Sequence, residues 1–401
     1  MNNKTINNSD DKVKKAIVLK VKQKVNEPDK NGSKNSGKNE KSCCCGVDNK
    51  CTSKPITQYD KKDSWITGEI QTPAGIVPQV STRLMFEDIL GAWKVRWGIN
   101  RMKYKINPGI YAVGNPDDNS PVLVTANYKL TFDMLRKELS GLSAWILVLD
   151  TKGVNVWCAA GKGTFGTNEL IARITKTKLL KIVSHRVVIL PQLGAPGVSA
   201  HEVSKHTGFK VIYGPVRARD IKGFISSGLK ADEEMRTVRF NLYNRLVLTP
   251  IEIVSTYKTS LMVFGVLFLL NVIGLGPFGL VDFYAFIGAL ITGCVLTPVL
   301  LPWIPGKAFA WKGWLLGMLW AVFLNILNGY PNEPDYGIMK ALGYLFTLPA
   351  ISAYYAMKFT GSSTYTSLSG VLKEMKIAVP AVIISISAGI ILILANNIII
   401  I

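Results

Sequence analysis

Hydrophobic and polar positions divide the chain in two. Up to about Arg245 short apolar runs alternate with helically spaced stretches and charge is frequent, whereas beyond Thr259 charge nearly vanishes from long segments. In the first part PVLVTA (121–126) is short and β-rich, FDMLRKEL (132–139) has helical spacing, and AWILVLD (144–150) is a continuous apolar run of the buried-strand type. NELIARITKTKLL predicts a helix, HRVVILP (185–191) a strand, SAHEVSKHTG a helix stopped by Gly208, and FKVIYGP a further strand. Such alternation predicts an α/β, doubly wound (Rossmann-like) domain with a parallel sheet. A ligand would then lie at the carboxyl ends of the strands.

The second part holds five apolar segments near the ~20 residues that cross a bilayer, at about 259–275, 280–301, 313–329, 338–357 and 377–395. Pro349 and Pro380 fall inside the last two, where neighbouring helices can satisfy the freed carbonyls. The predicted organisation is therefore a Lys- and Cys-rich disordered tail (1–62), a soluble domain (63–245) and an all-α transmembrane domain of five helices (246–401). Arg236, Arg239, Arg245 and Lys258 precede the first span, Lys307 and Lys312 follow the second, and Lys358, Lys373 and Lys376 follow the fourth. By the positive-inside rule the amino terminus and soluble domain are cytoplasmic and the carboxyl terminus lies outside the cell membrane. No span carries a central charge, and Asn271, Asn325 and Cys294 suit interhelical packing, so an anchor is favoured over a transporter.

Composition sharpens this picture only in part. A net charge of +20 would ordinarily suggest nucleic acid, but much of the excess lies in the polar tail and at span flanks, so no nucleic-acid partner is expected. The tail lacks the apolar core of a secretory signal. Six cysteines in a chain this long make no disulfide framework. Cys43, Cys44, Cys45 and Cys51 cluster in SCCCGVDNKC, while Cys158 and Cys294 stand alone. The cluster suits either capture of a soft metal ion or a redox-labile or zinc-binding tail.

GKGTFG (161–166) fits the permissive template G-x-G-x-x-G between a strand and a helix. The acidic residue expected ~20 positions on is missing, and a Walker A loop fails because Gly163 follows Gly161-Lys162 where Ser or Thr is needed. A plain turn is the better reading of the glycines. Just before them lies Cys158, in NVWCAAGKG (155–163). A lone cysteine is most often an inert buried thiol. Here, in a helical turn, Lys162 would fall on the face of Cys158, Ala159, Ala160 and Gly161 leave a flat surface, and Trp157 could wall off water. One thiolate cannot build a zinc site, so a metal at Cys158 should arrive with its own ligands, as in a tetrapyrrole. Asp133, Glu138 and Asp150 read as solvated or strand-end carboxylates, and His201 and His206 as surface residues.

NVWCAAGKGTFGTNEL, PVLVTANYKLTFDMLRKEL and GAPGVSAHEVSKHTGFKVIYGPVRARDIKGF together closely resemble the mercury-methylation corrinoid proteins, the HgcA family. The soluble part is similar to the corrinoid-binding domain of the corrinoid iron–sulfur protein of the acetyl-CoA pathway. The resemblance covers about residues 70–230 and extends to the five-span tail with KFTGSSTYTSLSG. It implies a cobalamin-type corrinoid under a cap helix, with Cys158 as the lower axial ligand of cobalt. Asn155, Val156, Trp157, Ala159, Ala160, Gly161, Lys162 and Gly163 carry over as the cap, and Thr125 and Asn127 as contacts to the macrocycle. It further implies a corrinoid-dependent methyltransferase that passes a methyl group from methyl-cobalt to Hg(II), forming methylmercury, and in that setting the soft ion captured by Cys43, Cys44, Cys45 and Cys51 would be Hg(II). A thiolate donating charge to cobalt would ease departure of that methyl as a carbanion equivalent. The implied partners are a small ferredoxin-like 4Fe-4S protein, HgcB, since this chain has no C-x₂-C-x₂-C run, and a folate-linked methyl donor system. Two alternatives stay open: a corrinoid methyl carrier with another physiological acceptor, and a nucleotide-binding regulatory domain on a membrane channel.

Overall fold

The computed structural model describes residues 55–60, 63–274, 278–332, 337–362 and 368–400. The cysteine cluster at 43–51 lies outside them. The chain divides into two compact units, one made of residues up to Val95 with Asn100–Thr237, the other of Arg96–Ile99 with Val238–Ile401.

The first unit is built on a seven-stranded sheet of order β1-β2-β3-β5-β4-β6-β7. Its strands are β1 (Ile66–Thr72), β2 (Gly75–Val80), β3 (Gly109–Val113), β4 (Val122–Ala126), β5 (Ala144–Leu149), β6 (Val187–Leu190) and β7 (Lys210–Tyr213). The helices are α1 (Phe86–Arg96), α2 (Lys129–Glu138), α3 (Val156–Gly161), α4 (Thr167–Lys176), α5 (Ala200–Thr207), α6 (Ile221–Ser226) and α7 (Glu233–Arg236). The four strands read from apolar runs, β4 to β7, form the parallel block β5-β4-β6-β7. The wholly parallel sheet expected from the alternation is corrected at its other end. There β3 pairs antiparallel with β5, and the antiparallel hairpin β1-β2 continues the sheet through β2. β3 can reverse because no crossover helix links it to β5 directly.

Strand side chains alternate between faces, and the alternation builds two cores. Trp145, Leu147 and Leu149 of β5 join Val124 of β4 and the apolar sides of α3, α4 and α5. Ala144, Ile146 and Val148 join Tyr111, Phe132, Leu135 and Phe224 on the other face. Helices thus cover both faces, as a doubly wound domain requires. α2 is pinned by a buried charge cluster. Arg136, 0% exposed, binds Asp88 at 2.6 Å and Asp133 at 2.8 Å, while Lys129 binds Asp88 at 2.5 Å and Asp133 at 2.8 Å. Asp133 is therefore not the solvated carboxylate its sequence context suggests. Burial pushes the Asp88 carboxyl up, but the Lys129 and Arg136 charges and the Met85 N–H outweigh that and hold it below the usual carboxylate range.

The second unit holds α8 (Leu242–Val272), α9 (Leu280–Leu300), α10 (Phe309–Leu327), α11 (Ile338–Lys358) and α12 (Leu368–Ile400). Helices occur at all five expected places, but among the described residues four are long and apolar enough to cross a membrane: α8, α9, α10 and Gly370–Asn396 within α12. The exception, α11, has 21 residues and carries Lys340, Thr347, Ser352 and three tyrosines. It is packed along its length by α10 and α12 and partly by α9. A helix enclosed by others can bury polar groups against them, as Tyr344 does by donating to Asp282 at 2.6 Å. Asn325 likewise donates across to the Ala341 carbonyl at 3.1 Å, whereas Asn271 ties the α8–α9 connection by exchanging two bonds with Phe278. Within α9, residues Thr292–Leu296 form a π turn in which the Thr297 N–H reaches back to the Thr292 carbonyl.

Candidate functional site

The carboxyl ends of the parallel strands surround a cavity of about 400 Å³. β4 contributes Leu123 to Thr125, β6 contributes Ile189 and Leu190, the chain after β7 contributes Pro215 and Val216, and α2 contributes Thr131 and Met134. Asn155, Val156 and Trp157 supply part of its rim. The ligand end expected for a parallel sheet therefore holds an open cavity with a mostly apolar lining.

Along that rim runs α3, six residues long. A helix this short has no stability of its own, so its position is imposed from outside. Asn155 is the N-cap, its side chain accepting from the Cys158 N–H at 2.9 Å. Ala159 and Ala160 are buried in the core beneath. Against them lies the turn Gln192–Gly197, where a side chain at Gly197 would come within 2.1 Å of the Phe165 carbonyl and 3.1 Å of the Ala160 backbone. The chain leaves α3 through Gly163, at φ +76°, and turns Phe165 into the core before α4 begins.

Trp157 and Cys158 stay outside, Trp157 39% exposed and the Cys158 thiol free. Lys162 donates its backbone N–H to the Cys158 carbonyl at 3.1 Å, so it stands one turn further on. Nothing lies within 4 Å of where a side chain at Gly161 or Gly163 would sit, which leaves the surface beside Cys158 bare. Among the described residues no group of three or more His, Cys, Asp and Glu side chains could hold a metal ion unaided. The G-x-G-x-x-G match is corrected in its context: Gly161 ends a helix instead of opening one after a strand, so these glycines form no phosphate-binding turn.

The loop from β5 to α3 is organised by Asn127, just past β4 and 2% exposed. Its Oδ1 accepts from the Thr151 N–H at 3.1 Å, the Thr151 hydroxyl at 2.9 Å and the Gly153 N–H at 3.0 Å, and its Nδ2 donates to Asp150 at 3.2 Å. Thr125, also buried, lines the cavity. Burial raises the Asp150 carboxyl, yet hydrogen bonds from the Lys152 side chain and backbone, with the Arg173 charge, leave it below its ordinary range. His201 and His206 are both exposed on α5. Sequence reasoning missed one contributor, Gly197, which acts by close approach and is hinted at only by the turn-prone GAPG. In the same turn the cavity is lined by Pro191 and Leu193, between which Gln192 turns its side chain oxygen into a buried place without a hydrogen-bond partner.

Comparison with known proteins accords with this geometry. Residues 99–225 match the family described as CO dehydrogenase/acetyl-CoA synthase delta subunit (CdhD). The acetyl-CoA decarbonylase/synthase complex subunit gamma of Archaeoglobus fulgidus is 32% identical over 127 residues, 31% of this chain and 27% of that protein. The same subunit of Methanocaldococcus jannaschii is 32% identical over 31% of this chain and 26% of its own length. The corrinoid/iron-sulfur protein large subunit of Moorella thermoacetica is 31% identical over 131 residues, 32% of this chain and 27% of that protein. The chain thus spans about a quarter of the length of these relatives. It carries a CdhD-family domain at residues 99–225 and is homologous to the gamma subunits of acetyl-CoA decarbonylase/synthase complexes and to the corrinoid/iron-sulfur protein large subunit.

Proposed function

We propose that this chain is a membrane-anchored corrinoid methyltransferase that gives a methyl group to Hg(II), forming methylmercury. The observation that carries the reading is Cys158: an exposed thiol on a rigidly held cap, beside a cavity at the carboxyl ends of the strands, in a domain homologous to a corrinoid protein. The residues present fit a corrinoid. The macrocycle is broad and flat, and the bare surface at Gly161 and Gly163 beside the apolar cavity admits such a partner. Cys158 offers a soft donor to the metal from the cap side. When bound, the corrinoid supplies a cobalt centre that accepts, carries and releases a methyl group.

The protein's own part is positional. Asn155 and Gly197 fix the height and tilt of α3 and hence of the thiol, Asn127 fixes the loop that feeds it, and Trp157 shields the cavity rim from water. Thr125, Asn155 to Cys158 and Gly161 to Gly163 are the contacts to the macrocycle, carried on the buried Ala159 and Ala160. Electrons would come from a ferredoxin-like partner of the HgcB kind, the methyl group from a folate-linked system, and the sheet domain would face the cytoplasm. Purified protein should carry a corrinoid absorption spectrum, and Cys158→Ala should change that spectrum and abolish most Hg(II)-dependent methylmercury formation. Full activity in Cys158→Ala would overturn the role of that thiol as a ligand, and nucleotide binding without corrinoid would overturn the whole reading. Methyl transfer to another acceptor with none to Hg(II) would leave a corrinoid carrier of different substrate.

A further inference from the structure

The helical unit contains a cavity of about 860 Å³ between α10, α11 and α12 that corrinoid chemistry does not use. Its origin is legible in the small residues. α10 and α11 meet backbone to backbone, since a side chain at Gly313 or Gly317 would collide with Ser352, Ala356 or Pro349. α11 and α12 meet as closely elsewhere, at Gly343 and Gly389, each of which would drive a side chain into the other's carbonyl. Beside the amino-terminal half of α12 the three helices leave a wedge of space walled by Ala310, Ala350, Ala353, Ala378 and Ala381, which present only methyl groups.

The two ends of the wedge differ. Its mouth carries Lys307, Lys373 and Glu374 beside Trp311 and Trp314, whose rings stack at 5.3 Å and 10°. Glu374 is spent on the α10 terminus, accepting from the Ala310 N–H at 2.6 Å. Among the described residues neither lysine has a carboxylate partner. From Lys373 to Ser385 the lining runs along about 18 Å of helix at ~1.5 Å per residue, close to the ~15 Å hydrocarbon depth of one leaflet. Cationic mouth, tryptophan collar and one-leaflet apolar wall are the complement of an anionic amphiphile.

We infer that this wedge binds one anionic phospholipid, its phosphate held by Lys307 and Lys373 and an acyl chain laid along the alanine wall. The inference rests on the membrane-spanning reading of the helices and is independent of the corrinoid. The test uses the full chain in nanodiscs of phosphatidylcholine with a minor fraction of phosphatidylglycerol, followed by native mass spectrometry of retained lipid. The wild type should keep about one phosphatidylglycerol per chain, at least about tenfold enriched over phosphatidylcholine. The Lys307→Gln/Lys373→Gln pair should lose the headgroup preference, and Ala381→Trp, which fills the wedge and keeps both charges, should lose the lipid. Equal retention of the two lipids by the wild type needs no variant to interpret and would overturn the inference. So would recovery of a neutral isoprenoid in place of phospholipid, or unchanged retention in both variants. A chain that fails to enter nanodiscs at all would instead overturn the membrane reading.

Discussion

Replacing Asn127 by Ala tests how the site is held. The side chain is the shared acceptor for the Thr151 and Gly153 N–H groups, and both residues are buried. An orphaned buried donor costs about 1–3 kcal/mol, so two cost about 2–6 kcal/mol, a large part of the ~5–15 kcal/mol that stabilises a domain. Lys152, exposed between them, gives water partial access, which places the expected loss at about 2–4 kcal/mol. Hydrogen exchange read by mass spectrometry on the detergent-solubilised chain should show residues 150–163 opening far more often while β6 and β7 change little. Asn127→Asp keeps the three acceptor bonds but faces Asp150, so it should restore much of the protection at low pH and less at neutral pH. Unchanged exchange in 150–163 with corrinoid retention lost would refute this reasoning and make Asn127 a direct contact to the macrocycle.

Three further outcomes follow from the same packing. Gly197→Ala should drive its methyl into the Phe165 carbonyl and against Ala160 of α3, and lower unfolding stability by about 1–3 kcal/mol, measurable by urea denaturation. Arg136→Met leaves Asp88 and Asp133 with one cation between them and should cost about 3–5 kcal/mol, visible as a lowered melting temperature. His185 is buried, donating from Nε2 to the Ser120 carbonyl at 2.9 Å and accepting at Nδ1 from Val187, and burial, aided by the Arg186 charge, pushes its pKa below the ordinary value. The unfolded chain therefore takes up a proton first, so stability is full above pH ~6.5 and falls as pH drops below it towards the folded pKa, by up to ~1.4 kcal/mol per unit. Urea midpoints at pH 7.5 and 5.5 should differ in that direction, and less so in His185→Gln.

The legible parts of the molecule are those with local causes. β4, β5 and most of β6 announce themselves as apolar runs because they are buried on both faces, β7 shows through the shorter VIY run at the other sheet edge, and Gly208 stops α5 at φ +72° as its residue type suggests. β1, at the sheet edge, alternates between exposed and half-buried positions and gives only a faint signal. β3 is five residues long, and its place beside β5 depends on non-local pairing and on Thr57, which exchanges hydrogen bonds with Ile110 at 2.8 and 2.9 Å. In the site, Cys158, Trp157 and the Asn155 cap are contiguous and could be read together. The bonds from Asn127 and the approach of Gly197 join segments 23 to 37 residues from their partners, and no spacing encodes them.

The π turn in α9 has a consequence for how that helix meets its neighbours. Ala285, Ala289, Gly293 and Thr297 are all inward-facing, a repeat of four. At about 100° per residue, twelve residues of regular α-helix would leave Thr297 about 120° around the cylinder from Ala285, away from the bundle. One residue absorbed by the π turn makes the interval effectively eleven, about 20° from in phase. A single surplus residue thus keeps one seam of small side chains pointed at the bundle for the whole length of the helix, and places Gly293 where the Ser352 carbonyl and Tyr355 leave room for no side chain.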